Sequence, residues 1–221
     1  MLVCCLLATS CVPLARAENP DDAEARIRLS YDLQTILAED PLALPGGQRA
    51  ALAQAAPPFA MPSDDPRQTE AATECLAAAA YHEARSEGEE GQRAVAQVVL
   101  NRVRHHAFPS TICGVVYQRT SGGICQFSFT CDGSLRRRIE PQAWAAARRI
   151  AQEALDGSVY APVGLATRFH ASYVRPRWSM TLPRVTRVGA HSFYLERGAD
   201  GRSAAFVRTS SGLERDASPA S

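Results

Sequence analysis

The chain has 221 residues, 46% of them hydrophobic, with 24 Lys or Arg and 23 Asp or Glu for a formal net charge of +1. That length supports one core of catalytic-domain size and hardly a second. All of the Lys-or-Arg count is arginine, which excludes Schiff-base chemistry and a lysine-bearing phosphate loop, and the balanced charge argues against a nucleic-acid binder, which shows a basic stripe.

The first seventeen residues, MLVCCLLATSCVPLARA, are apolar from Leu2 to Leu14 and close on Ala15-Arg16-Ala17. This small-x-small ending reads as a signal peptide and predicts export to the periplasm or cell envelope. The apolar run is too short to span a bilayer, so no transmembrane segment is expected in the mature chain. The absence of Lys and Arg ahead of that run fits a start codon further upstream, and Ala8-Thr9-Ser10-Cys11 offers lipid anchoring at Cys11 as the minor alternative.

Residues 18–68 are rich in Ala, Pro and Asp and read as a flexible segment with one short amphipathic helix near Ile27 to Leu37. A compact domain over 69–197 is predicted to begin where the Thr69 hydroxyl caps a first helix running to Arg85, with Leu76, Ala79, Ala80 and Ala84 at three- and four-residue spacing. Ser86-Glu87-Gly88 makes a turn, and a second helix follows from Glu90 to His105, with Ala94, Val95, Val98, Val99 and Arg102 on one side and Gln97 and Asn101 one turn apart on another.

Residues 106–139 hold Pro109, Gly114, Gly122, Gly123 and Gly133 and predict a long loop, which in a compact domain is usually functional. A third helix opens at Glu140-Pro141, buries Trp144, Ala147, Ile150, Ala151, Ala154 and Leu155, and stops at Gly157. Two short strands are predicted over 166–172 and 185–188, the second extended by His191 to Leu195, and residues 198–221 read as a disordered tail. The resulting fold class is α+β, mainly α, with a small β element.

Without the leader, four cysteines remain: Cys75, Cys113, Cys125 and Cys131. In an oxidising compartment they predict two disulfides with three connectivities open. A zinc site is the alternative, against which no Cys-x-x-Cys pair is present.

Glu83 is the first candidate for chemistry. It stands at the end of an apolar helical run, and burial disfavours the charged form of a carboxylate, so a glutamate there holds its proton near neutral pH and can deliver it to a leaving oxygen. The competing view makes Glu83 one of several solvated charges, with Arg85, Glu87, Glu89 and Glu90, closing a helix. His82-Glu83 suggests a zinc protease, but that motif requires a second histidine at position 86, which is Ser. His82 therefore reads as a packing residue. No Gly-x-Ser-x-Gly elbow is present, and an even cysteine set disfavours a catalytic thiol.

Taken in order, YHEARSEGEEGQRAVAQVVLNRV, FPSTICGVVYQ, GGICQFSFTCDG, ATRFHASYVRPRW and RVTRVGAHSFY resemble the cell-wall hydrolase family typified by the SleB-type spore-cortex-lytic enzymes. The likeness runs from about Cys75 to Leu195. It implies a lysozyme-like, largely helical fold and cleavage of peptidoglycan glycan strands. It places Glu83 at the family's single acid and Gln126, Phe127 and Ser128 along the sugar groove, with core packing as the competing role for Phe127. It sets His170, Tyr173 and Trp178 at a wall of the cleft. Asn101 reads as structural, bonding a loop from the second helix, and Arg168 receives no role.

A hydrolysing pair needs a second carboxylate roughly 5 to 9 Å from the first, and Glu87, at a Gly-bounded turn, reads as solvent-facing. A lone acid favours lytic transglycosylation, giving 1,6-anhydro-muramic ends, with hydrolytic cleavage or a non-catalytic binding module as alternatives. No cofactor or metal is expected. The predicted partner is peptidoglycan and the predicted state a monomer. A further expectation is that Cys113, Cys125 and Cys131 supply one pair that staples the loop and holds Gln126 in place.

Overall fold

A computed structural model describes residues 54–214. The predicted leader, Cys11, the helix near 27–37 and the last seven residues of the predicted tail lie outside the described residues. None of the described helices is long and apolar enough to cross a membrane.

Helix α1 spans Pro66–Ala84 and starts one turn earlier than the sequence predicts. Asp65 is its N-cap, accepting the Arg67 N–H at 3.0 Å, and Pro66 occupies the first helical position, where a missing N–H costs nothing. Thr69 lies inside the first turn. The α1 face is almost all alanine, with Ala72, Ala77, Ala79, Ala80 and Ala84 inaccessible to solvent. Small side chains let α2 (Gly88–Arg104) and α4 (Pro141–Leu155) approach it closely, and the three helices enclose Leu76, Val95, Val99 and Ile150. A short helix α3 (Ile112–Val116) is capped by Thr111, whose Oγ1 accepts the Gly114 N–H at 3.0 Å.

The β element has three strands, β1 (Arg168–Ala171), β2 (Arg184–Val188) and β3 (His191–Tyr194), in the antiparallel order β1-β3-β2. Residues 191–194 are therefore a separate central strand and not an extension of the second. Gly189, at φ +56°, makes the tight reversal between β2 and β3 that a side chain would strain. Phe193 and Val185 from the sheet pack with Val98, Val163 and Leu165 in a second apolar cluster, and Phe169 touches both clusters. The fold class is the predicted one, mainly helical α+β.

Both domain limits move outward. The end of the predicted flexible segment is anchored, since Ala56 and Phe59 are buried and Arg104 donates to the carbonyls of Pro57 and Pro58. The described part of the predicted disordered tail, residues 198–214, is likewise packed. Ala205 and Phe206 enter the second cluster and Arg208 donates to the carbonyls of Val103 and Pro109.

Candidate active site

Glu83 is the penultimate residue of α1 and is part-buried. Its carboxylate has no hydrogen-bond partner among the described residues. Burial pushes the carboxyl above its usual range, His191 and Arg102 pull it back down, and Asp132 adds to the rise. Burial that favours the protonated form is the electrostatic setting a general acid requires. Next to it, His82 stacks on Phe129 at 4.6 Å between ring centroids and is held below the ordinary histidine range by burial and by Arg85. His82 is thus the packing residue the sequence predicts.

Arg102 escaped the sequence reading of the site. It is 6% exposed; its Nε donates to the Thr167 carbonyl at 2.7 Å, and its guanidinium lies over the rings of Phe108 and Phe127 at 5.4 and 5.3 Å. One guanidinium nitrogen, Nη1, is buried without a hydrogen-bond partner among the described residues. Burial, with a smaller push from Arg168, lowers it to about 10, while Glu83 acts in the opposite sense. A charged residue on the otherwise apolar α2 stripe was the signal that could have found it.

Glu87 also departs from expectation. Its side chain is 11% exposed and not solvent-facing: Oε1 stands 2.7 Å from Nδ1 of His191, and Oε2 accepts the Ala190 N–H at 3.2 Å. The imidazole contact is close but lies off the ring's hydrogen-bonding direction.

The disulfides are Cys75–Cys113, tying α1 to α3, and Cys125–Cys131, which clamps the loop internally. Within that clamp burial alternates: Gln126 and Ser128 are exposed while Phe127 and Phe129 are 1% and 3% exposed. Phe127 is consequently packed in the core, beneath the Arg102 guanidinium and beside the rings of Phe129 and Phe169, the competing role named for it from the sequence.

His170 and Trp178 come together with Tyr194. His170 Nε2 lies 2.9 Å from the Tyr194 hydroxyl and Nδ1 lies 2.9 Å from the Ala171 carbonyl, so Nδ1 carries a proton and, in the neutral ring, Nε2 accepts from the tyrosine. Trp178 packs edge-on against both rings. Arg168, given no role in advance, pairs with Glu196 at 2.6 Å and sits over Trp178. Tyr173 stands apart, 87% exposed. Asn101 is structural as expected: its Nδ2 donates to the Gly164 and Ala166 carbonyls at 2.8 and 2.9 Å, and its Oδ1 accepts from Gln97.

Among the described residues, His105, His106 and Asp200 are the grouping with metal-ligand spacing. His105 Nδ1 accepts the Ala107 N–H, which leaves Nε2 as the protonated nitrogen, donating to the Asp200 carbonyl. Neither nitrogen is free to ligate, so these residues do not fit a metal.

The cell wall hydrolase family model matches residues 86–194, a span that starts just beyond Glu83. Spore cortex-lytic enzymes are similar in sequence: that of Oceanobacillus iheyensis is 34% identical over 119 residues, 53% of this chain and 39% of the relative. The Halalkalibacterium halodurans enzyme is also 34% identical, covering 53% of this chain and 33% of the relative, and the Bacillus subtilis enzyme is 32% identical, covering 53% and 35%. The chain thus spans well under half the length of these relatives. Among solved structures, the catalytic domain of the germination-specific lytic transglycosylase SleB from Bacillus anthracis is 28% identical with a TM-score of 0.47, covering 57% of this chain and 94% of that domain. The family likeness thus rests on residues 86–194, from the turn after α1 through β3, which match the cell wall hydrolase model.

Proposed function

We propose that this domain cleaves the glycan strands of peptidoglycan, with Glu83 as the general acid. The observation that carries the reading is Glu83 itself: a part-buried carboxyl, raised by burial, free of hydrogen-bond partners among the described residues and within electrostatic reach of Arg102. Similarity to spore cortex-lytic enzymes supports a wall substrate. Gln126 and Ser128, exposed on the clamped loop, supply groups that can bond N-acetyl or hydroxyl oxygens, and Trp178 and His170 supply an aromatic wall.

Glu83 protonates the bridging oxygen between N-acetylmuramic acid and N-acetylglucosamine as the C1–O bond breaks. The resulting carboxylate then takes the proton of the muramic C6 hydroxyl as O6 bonds to C1, which closes a 1,6-anhydro ring and restores the acid. No water is consumed. The commitment of Glu87 to His191 and Ala190 favours this single-acid route. A hydrolytic route has one observation in its favour: Asp132 is exposed and within electrostatic reach of Glu83, as a second carboxylate would be. The two disulfides support an oxidising, extracytoplasmic site of action.

The test is digestion of purified sacculi. Glu83→Gln is expected to lose roughly a hundred- to ten-thousand-fold in rate while its circular dichroism stays native. Full activity in that variant would sink the assignment. Mass spectrometry of the wild-type fragments separates the routes, because anhydro ends are one water lighter than hydrolytic ends. Reducing ends that disappear in Asp132→Asn would establish the two-carboxylate route. Binding to sacculi without release of any fragment would make the domain a non-catalytic module.

A further inference from the structure

Charge is unevenly distributed along this chain. No Asp or Glu stands between Asp156 and Glu196, and that stretch holds Arg168, Arg175, Arg177, Arg184 and Arg187. The helices are arranged differently: Arg93, Arg148 and Arg149 each pair with glutamates of α1, α2 or α4. A net charge of +1 therefore conceals an arginine-rich segment whose bordering carboxylate, Glu196, is already paired with Arg168.

The excursion between β1 and β2, residues 172–183, carries the middle of this segment to the surface. Its entry is fixed by the Ser172 N–H, which donates to the Ala190 carbonyl at 2.7 Å, and by the Val174 N–H, which donates to the Ala171 carbonyl at 2.9 Å. Its exit is fixed by Trp178, edge-on to His170 and Tyr194, whose carbonyl accepts the Thr181 and Leu182 N–H groups. Between these ties Tyr173, Val174, Arg175 and Arg177 are exposed. Met180, just beyond, is 76% exposed. The side chains of Arg175 and Arg177 make no hydrogen bond or ion pair among the described residues. Pro176 separates them with extended backbone at φ −68° and ψ 143°, so the loop is stiff where the charges stand.

Apolar side chains left in water beside unpaired guanidinium groups mark an interaction surface, and a guanidinium fork matches the two oxygens of a carboxylate. The excursion is continuous through Trp178 with the aromatic wall at which the glycan strand is proposed to lie. What projects from such a strand is the stem peptide, amide-linked to the lactyl group of muramic acid and carrying free carboxylates. We propose that Arg175 and Arg177 bind these carboxylates, with Tyr173 and Met180 packing on the peptide stem, so that the substrate class is glycan still bearing its peptides. The inference rests on the peptidoglycan reading given above.

The experiment uses sacculi free of phosphate-bearing wall polymers, with their free amines acetylated, in two forms: carboxylates intact, or capped as neutral amides with carbodiimide and ethanolamine. Co-sedimentation measures retention of Glu83→Gln and of a triple variant that adds Arg175→Gln and Arg177→Gln, with melting curves on each. The expected result is that capping weakens retention of Glu83→Gln roughly three- to tenfold, that added salt erases the difference, and that the triple variant holds both forms equally. Equal retention of Glu83→Gln on the two forms would overturn the proposal, and so would a triple variant that still distinguishes them. If the triple variant does not fold, the two arginine replacements made singly decide in the same way. Vesicles of phosphatidylglycerol supply a different anionic surface: arginine-dependent binding there, with no effect of capping on sacculi, would overturn the proposal in favour of a membrane contact. Fragment release by the wild type keeps the two questions separate. No release, with retention that capping weakens, removes the cleavage reading and leaves the peptide contact, whereas release without sensitivity to capping removes only the contact.

Discussion

The carboxylate of Glu214 accepts the backbone N–H of Cys113 at 2.8 Å, and its other oxygen accepts that of Ile112 at 2.9 Å. These are the first two N–H groups of α3, which no carbonyl of that helix can reach. Because Cys113 is also bonded to Cys75 of α1, the end of the described chain closes a corner that the disulfide pins from the other side. Burial raises the Glu214 carboxyl while the two N–H groups pull it back down.

Glu214→Ala leaves both N–H groups buried and unpaired and should cost about 2 to 4 kcal/mol. Glu214→Gln, which retains an acceptor, should cost less. Urea unfolding midpoints at neutral pH check the order, and a midpoint unchanged in Glu214→Ala would mean that the 202–214 strap contributes nothing to the fold.

Asn101→Leu preserves volume but strands the carbonyls of Gly164 and Ala166 and the Gln97 amide that bonds Asn101 Oδ1. The loss should be on the order of 3 kcal/mol, read as a lower melting temperature. Activity measured well below that temperature should persist, since Asn101 is buried away from solvent.

Phe127 and Tyr173 should separate packing from binding. Phe127→Ala empties a core position and should destabilise by about 3 to 5 kcal/mol. Tyr173 is 87% exposed, so Tyr173→Ala should stay within about 0.5 kcal/mol of wild type and should weaken retention on sacculi in an inactive Glu83→Gln background.

Glu83→Gln should be at least as stable as wild type at neutral pH. The folded carboxyl is raised above the 4.5 expected of an exposed glutamate, so folding binds the proton more tightly. The stabilisation this gives the wild type is fully present below the unfolded value and is lost as pH rises through the folded one. The stability gain of the variant should therefore appear above that window and fade in acid, as melting at pH 3 and pH 7 would reveal.

Peptide mapping without reduction should recover Cys75 linked to Cys113 and Cys125 linked to Cys131. Replacing the first pair by alanines should cost about 3 to 4 kcal/mol, because its residues are 38 apart and opening a loop of that size frees considerable chain entropy. The second pair, 6 residues apart, should cost less stability. Its loss should instead lower activity by loosening Gln126 and Ser128.

Local pattern carried much of this molecule. The 3.6-residue period placed α1, α2 and α4, and Pro141 and Gly157 marked the ends of α4 within a residue or two because proline and glycine act through backbone geometry alone. Glu83 stood out because a carboxylate closing an apolar stripe is unusual whatever surrounds it. The same period set Gln97 and Asn101 one turn apart on α2, and the structural role of Asn101 came from the resemblance of its motif.

What the tertiary structure decided was each side chain's partner across long sequence distances. Glu87 looked solvated because its neighbours in sequence are Gly, Ser and Glu, and only the return of residues 189–191 buries it against His191. Arg102 is held by the carbonyl of Thr167 and the rings of Phe108 and Phe127, within electrostatic reach of Glu83. Phe127 went to the core while Gln126 and Ser128 beside it on the same clamped loop stayed exposed. Residues 202–214 docked through contacts with residues 103–113. Desolvation and charge pairing depend on distance in space, which a linear pattern does not encode.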